Sequence, residues 1–130
     1  FEYFSEDPLL NGKIAEAQLK GLKSYGAGGT IKHFAGNNQE FRRRSVDSVI
    51  SERALREIYL KAFEICVKSG YCDSIMTTYG LLNGDFTAMN YDLCTTILRN
   101  DWGFKGIVMT DWWASITMEK DGSQKNTNFD

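Results

Sequence analysis

The sequence predicts an α/β fold built on a parallel sheet, and three observations predict it. Helical and strand-like segments alternate in the order helix, strand, helix, strand, helix, strand, the pattern that yields parallel strands joined by crossover helices. The strand segments centre near residues 31, 76 and 108, one βα unit apart each time. The residues best suited to chemistry fall at or just beyond the C-terminal ends of those segments: Lys32 and His33, then Tyr79, then Asp111. A (β/α)8 TIM barrel builds its active site at that end of its strands, and an open doubly wound sheet also binds ligands there. The pattern admits both. Three strands do not close an eight-stranded barrel, which takes about 250 residues. On the barrel reading, residues 1–130 are an incomplete segment of a single catalytic domain.

The first helix opens at Asp7-Pro8. An aspartate side chain satisfies free amides of the first turn, and proline suits the first helical position because it has no N–H to leave unpaired. Leu10, Ile14, Ala17 and Leu22 then fall on one face, and Gly26 provides a stop. Thr30 to Phe34 reads as the first strand. A polar stretch from Gly36 to Ser48 follows, carrying Arg42-Arg43-Arg44. Ser51 caps a second helix with Leu55, Ile58, Ala62 and Cys66 on one face and Gly70 at its end. Ser74 to Tyr79 is the second strand, and Leu82-Asn83-Gly84 a turn. Asn90 caps a third helix carrying Leu93, Ile97 and Leu98, closed by Gly103. Gly106 to Thr110 is the third strand, ending at Asp111-Trp112-Trp113. From Ser115 to Asp130 the chain is a polar tail that predicts no element.

Hydrophobic content of 42% and charged content of 25% fit a soluble globular protein rather than a disordered one. Net charge is −2, and Lys and Arg are dispersed apart from the arginine triplet. That excludes a nucleic-acid or membrane-surface protein, both of which need a concentrated basic face. No apolar run approaches the ~20 residues that span a bilayer. No signal segment is visible, and the chain opens on Phe1 rather than a methionine, so the true N-terminus is expected elsewhere. The three cysteines, Cys66, Cys72 and Cys94, contain no CxxC and argue against a disulfide framework or a zinc site. They read as reduced, partly buried thiols, which leans toward a cytoplasmic setting.

Asp111 follows the apolar run Ile107-Val108-Met109 and precedes two tryptophans. A strand-end carboxylate in semi-apolar surroundings suits a nucleophile or a base; capping the following turn is the plainer role. Trp112 and Trp113 offer a flat apolar platform for a sugar ring, or simply core packing. Lys32-His33 sets two donors side by side. Strand alternation would send them to opposite faces, and a bulge would let both reach one site. His33 is the only histidine, which disfavours a histidine-based metal site. Glu40 and the arginines lie in the loop after the first strand, able to fix a substrate or to form solvated ion pairs. Gly26-Ala27-Gly28-Gly29 follows a helix and precedes a strand, the reverse of a phosphate loop, so it reads as a helix stop.

Taken together, the chain resembles family 3 glycoside hydrolases, most closely the bacterial β-glucosidase-like members. The matching stretches begin with Phe1-Glu2-Tyr3-Phe4-Ser5-Glu6-Asp7-Pro8 and Lys32-His33-Phe34 with Asn37-Asn38-Gln39-Glu40. They continue with Ser51-Glu52-Arg53-Ala54-Leu55-Arg56-Glu57, Met76-Thr77-Thr78-Tyr79 with Asn83-Gly84, and Val108-Met109-Thr110-Asp111-Trp112. They occur in family order and spacing to about Trp113. The resemblance implies a partial TIM barrel and hydrolysis of terminal β-D-glucosyl residues with retention. It implies Asp111 as nucleophile and Lys32 and His33 as the pair binding sugar hydroxyls. Arg43 is implied near that pair, with Arg42 and Arg44 as register alternatives. Tyr79 is implied beside the nucleophile, Met76 in the pocket lining, and Trp112 against the sugar or aglycone. No metal or organic cofactor is implied, and the partner is a small β-glycoside or oligosaccharide.

The chain departs from the family pattern in three ways. Gly80 stands where the family usually has asparagine. An aspartate and an arginine of the family's sugar-binding set lie before the Phe1–Pro8 stretch. The acid/base glutamate lies on a later domain, and none of Glu2, Glu6, Glu16, Glu40, Glu52, Glu57, Glu64 or Glu119 matches it. The chain therefore carries one half of a two-carboxylate mechanism. Rival expectations are a carbohydrate-binding relic without turnover and an inactive fragment. An N-acetylhexosaminidase or phosphorylase with a histidine acid/base is disfavoured, because His33 matches the sugar-site histidine instead.

Overall fold

The computed structural model describes residues 3–114, 116–118 and 124–126, the last two segments as backbone only. In chain order the elements are α1 (Pro8–Ser24), β1 (Thr30–Phe34), β2 (Asp47–Ser48), α2 (Glu52–Ala54), a π-helical turn (Leu55–Tyr59) and α3 (Lys61–Lys68). Then come β3 (Ser74–Thr77), β4 (Leu81–Leu82), β5 (Asp85–Phe86), a π-helical segment (Asp92–Asp101), β6 (Ile107–Met109), β7 (Ile116–Met118) and β8 (Gln124–Asn126). The β7–β8 pair is antiparallel and falls within the tail for which the sequence predicts no element. Among the described residues no helix is long and apolar enough to cross a membrane.

The expected parallel sheet is present, with strand order β1-β3-β6 and both pairings parallel. Each strand lies beside its successor, and the buried cluster of Phe34, Leu55, Leu60, Val67, Ile75, Leu93, Ile97, Leu98 and Phe104 joins strands and helices in one core. A second, small sheet, β2-β4-β5, is formed by the segments that follow β1 and β3. Its β4–β5 hairpin turns through Asn83 and Gly84, with φ of 52° and 96°. Positive φ at both turn positions is the type I′ geometry that Asn-Gly favours.

The helix caps follow the sequence. Asp7 Oδ1 accepts from the N–H groups of Leu9 and Leu10 at 2.8 and 2.9 Å, Ser51 Oγ from Ala54 at 3.4 Å, and Asn90 Oδ1 from Leu93 at 2.9 Å. The helix faces depart from the simple 3.6-residue pattern in two places. Leu10, Ile14, Ala17 and Leu22 are all exposed, while Gly12 and Leu19 are buried. The reason is close approach: α1 rests on α3 at Gly12, where a Cβ would stand 2.7 Å from Ile65 Cδ1 and 3.1 Å from Ala62 Cα.

The second departure is the π-turn. Leu60 N–H donates to Leu55 O at 2.8 Å, an i→i+5 bond. The inserted residue rotates the apolar stripe, so Leu60 is fully buried and the expected Ile58 is half exposed. The third helix is π-helical as well, yet its buried residues are the expected Leu93, Ile97 and Leu98.

All three cysteines are free. Burial pushes the Cys66 thiol up to about 12 and the Cys72 thiol up to about 11, and also raises Cys94. At neutral pH they are packing groups, not nucleophiles. The π-turn makes a direct prediction for a full-length protein carrying this segment. Leu60→Ala costs about 2–5 kcal/mol of stability, whereas Ile58→Ala stays within about 0.5 kcal/mol, as exposed positions do. Urea unfolding of the two variants measures the difference, and equal losses would contradict the observed register.

Candidate active site

The site is built where β1, β3 and β6 end. Along β1 the register with β3 runs Thr30↔Ser74 and Ile31↔Ile75, then shifts so that Phe34 opposes Thr77. Ile31 and Phe34 both pack against the helical core. Two same-facing residues three apart need an irregular strand, and this one takes both Lys32 and His33 off simple alternation. His33 is 7% exposed. Its Nε2 lies 3.5 Å from Asp111 Oδ2. Its Nδ1 lies 3.4 Å from the Tyr3 hydroxyl, which also accepts from the His33 backbone N–H at 3.4 Å. Lys32 is exposed and borders a recess between β1 and α1 that includes Tyr3, Phe4 and Asn11.

Asp111 directly follows β6 and is 7% exposed. Its two oxygens are differently employed. Oδ1 accepts from the Trp112 N–H at 2.7 Å, and the Asp111 carbonyl accepts from Ala114 N–H at 3.1 Å. Oδ2 faces His33. Turn capping, the plainer role the sequence allowed, thus occupies one oxygen, and the other is turned toward His33. Trp112 and Trp113 are 72% and 65% exposed, with ring centroids 5.9 Å apart. Neither packs into the core of the described chain.

Tyr79 follows β3 and brings the arginine loop to the carboxylate. Its phenol lies close enough to Asp111 for that carboxylate to raise its pKa. The Arg43 and Arg44 guanidinium carbons each lie 4.9 Å from its ring centroid, within cation–π range. Arg43 Nη1 donates to Glu40 Oε2 at 3.0 Å, and Asn37 Nδ2 to Glu40 Oε1 at 3.0 Å. Arg42 turns away, with φ of 54°, and stacks on Phe41. Gly80 has a structural reason. A Cβ there would stand 3.0 Å from Val46 O and 3.2 Å from Arg43 O, so its absence lets the arginine loop lie against the strand end. Met76 is partly buried, paired with Met109 across β3–β6, on the sheet face opposite core residue Ile75.

His33, Tyr79, Arg43 and Asp111 therefore converge, with Arg44 alongside, while Lys32 and Trp112 stand at the exposed margin. A cleft of about 550 Å³ opens on the Tyr3 side of His33, lined also by Glu6, Asn37, Glu40 and Tyr59; Asp111 does not line it. In the sequence Tyr3 stands out only as part of a matching stretch, and its contact with His33 across thirty residues has no local signal. Among the described residues no cluster of three or more His, Cys, Asp or Glu is placed to hold a metal ion.

Comparison with known proteins decides the family. The glycosyl hydrolase family 3 N-terminal domain model matches residues 1–128. The chain belongs to that family. The beta-glucosidase of Ruminococcus albus is 60% identical over 129 residues, 99% of this chain and 14% of that protein. A beta-glucosidase of known structure from Paenibacillus barengoltzii is 59% identical, with a TM-score of 0.87 over 96% of this chain and 14% of that one. Beta-glucosidase 3B from Thermotoga neapolitana, in complex with glucose, is 52% identical, with a TM-score of 0.83 over 85% of this chain and 16% of that one. The family 3 segment thus spans about one seventh of its curated relatives. Its three parallel strands are part of a TIM barrel, which settles the choice the alternation left open.

Burial raises the Tyr79 phenol above the ordinary tyrosine value; the Asp111 carboxylate acts the same way, and Arg44 and Arg43 oppose them. The phenol of the family 3 site accordingly stays neutral through the physiological range. In a full-length protein, ultraviolet difference titration against Tyr79→Phe should place this ionisation above about 10. Asp111→Asn should lower it and Arg44→Ala should raise it. A Tyr79 titration unmoved by Asp111→Asn would contradict the contact.

Proposed function

We propose that this chain is the nucleophile-bearing segment of a retaining β-glycosidase acting on terminal β-D-glucosyl residues. One observation carries the reading: a buried carboxylate at a barrel strand end, with one oxygen fixed by a backbone N–H and the other facing His33, beside the Tyr79 phenol. A nucleophile needs an oxygen held in place yet reachable. The Trp112 N–H fixes the rotamer through Oδ1, leaving Oδ2 to attack. The identity to beta-glucosidases and the likeness to a glucose complex support the substrate class.

In the first step an Asp111 oxygen attacks the anomeric carbon as the bond to the aglycone oxygen breaks. A general acid protonates that leaving oxygen. In the second step the same group, now a base, takes a proton from water. Water attacks the anomeric carbon, the bond to Asp111 breaks, and the sugar leaves with retained configuration. The acid/base is a glutamate in the remainder of the polypeptide. Lys32 and His33 bind sugar hydroxyls, Arg43 stands near that pair against Tyr79 and Glu40, Met76 lines the pocket, and Trp112 offers its exposed face to the sugar or aglycone. The partner is a small β-glucoside or oligosaccharide.

An activated 2-deoxy-2-fluoroglucoside tests the nucleophile, because its good leaving group makes the acid dispensable. Peptide mass spectrometry of the treated full-length protein should find the adduct on Asp111, and Asp111→Asn should abolish both labelling and turnover. Turnover with labelling at another carboxylate would overturn the site. Saccharide binding with neither labelling nor turnover of aryl β-glucosides, β-galactosides or β-xylosides would favour a carbohydrate-binding relic.

A further inference from the structure

The proposed site leaves one buried polar network unused. Thr87 is fully buried and Thr78 is 4% exposed. Their hydroxyl oxygens lie 2.9 Å apart. Thr87 Oγ1 accepts from the Thr78 backbone N–H at 3.0 Å and donates to the Thr78 carbonyl at 3.1 Å. Thr78 Oγ1 accepts from the Gly80 N–H at 3.1 Å. The Thr87 N–H donates to the Gly80 carbonyl at 3.3 Å. Each hydroxyl has one proton: Thr87 donates to the Thr78 carbonyl, and Thr78 donates to Thr87 Oγ1 or, at 3.4 Å, to the Gly80 carbonyl.

What this network holds is Tyr79. The Thr78 carbonyl belongs to the peptide before the Tyr79 Cα, and the Gly80 N–H to the peptide after it. Fixing both peptide planes fixes the two backbone dihedrals of Tyr79, and hence the direction in which its ring leaves the backbone. Tyr79 lies just beyond the end of β3, where no sheet hydrogen bonds do this. Its phenol reaches Asp111 at one end while Arg43 and Arg44 flank the ring. Thr87 reaches this segment from the turn after β5 and makes no hydrogen bond to Asp111 or His33.

We infer that Thr87 is a positioning residue: through Thr78 and Gly80 it fixes the backbone of Tyr79 and so aims the phenol at Asp111. The inference deepens the proposed function and rests on it, but one of its readouts needs no turnover.

The test uses the full-length protein and four variants: Thr87→Val, Thr87→Ser, Tyr79→Phe and the double variant Thr87→Val/Tyr79→Phe. Valine keeps the shape and removes the hydroxyl; serine restores it. Thr87→Val should lower kcat for an aryl β-glucoside by about tenfold or more, within the ~10²-fold loss that a 1 Å misplacement causes. Thr87→Ser should recover most of it. In the Tyr79→Phe background Thr87→Val should lower kcat no further, because residues acting as one unit are not additive. Equal losses in both backgrounds, or an unchanged kcat, would overturn the inference. So would Thr87→Ser behaving like Thr87→Val.

The second readout is the Tyr79 titration, taken as a difference against Tyr79→Phe. Thr87→Val should bring it back toward the ordinary tyrosine value; no movement would overturn the inference. Should Thr87→Val fail to fold, Thr78→Val breaks the network from its other side and is read in the same two ways. If the wild type hydrolyses no glycoside while the titration shifts as expected, the functional reading fails and the positioning of Tyr79 stands.

Discussion

Phe34 anchors the arrangement on which the site depends. It is fully buried, edge-on to Phe63 at 5.1 Å and to Trp102 at 6.1 Å between centroids. Those partners come from two different helical units, so Phe34 ties β1 to both. A fully buried phenylalanine contributes about 3 kcal/mol or more, enough to hold a strand out of regular register. With Ile31 and Phe34 both committed to the core, the strand cannot alternate between them. His33, the residue before Phe34, is delivered to Asp111. Packing on one side of the sheet thus decides geometry on the other.

Asp111 and Tyr79 are held by different means. Asp111 is set by its own turn, one oxygen capping the next amide. Tyr79 lies beyond its strand, in a loop braced by buried hydroxyls and approached by the arginine loop, which Gly80 admits. Rigid strands place the Cα atoms; short polar contacts then set the side chains.

Much of this was legible in the sequence, and the parts that were not share a cause. The alternation of elements, the Asp7, Ser51 and Asn90 caps and the Asn83-Gly84 hairpin all rest on local chemistry. So does the placement of His33, Tyr79 and Asp111 at strand ends. The π-turn at Leu55–Tyr59 was not legible: a 3.6-residue template selects Ile58, and only the packed core shows that Leu60 takes its place. Nor was the outward turn of Leu10, Ile14 and Leu22, because Gly12 sets the α1–α3 contact and a glycine has no hydropathic signal. Tyr3 against His33 and Thr87 against Thr78 join residues distant in sequence or separated by a hairpin, where spacing carries no message.

The division of labour inside Asp111 bears on why one half of a mechanism can be read from so short a segment. A double displacement sets two demands on the protein: an attacking oxygen fixed against the anomeric carbon, and a proton donor fixed against the leaving oxygen. On the proposed reading, the first is met by groups local to the ends of β1, β3 and β6. The second depends on where the aglycone leaves, on the side of the sugar away from Asp111. The glycone face and the leaving-group face can therefore be carried by different parts of a polypeptide.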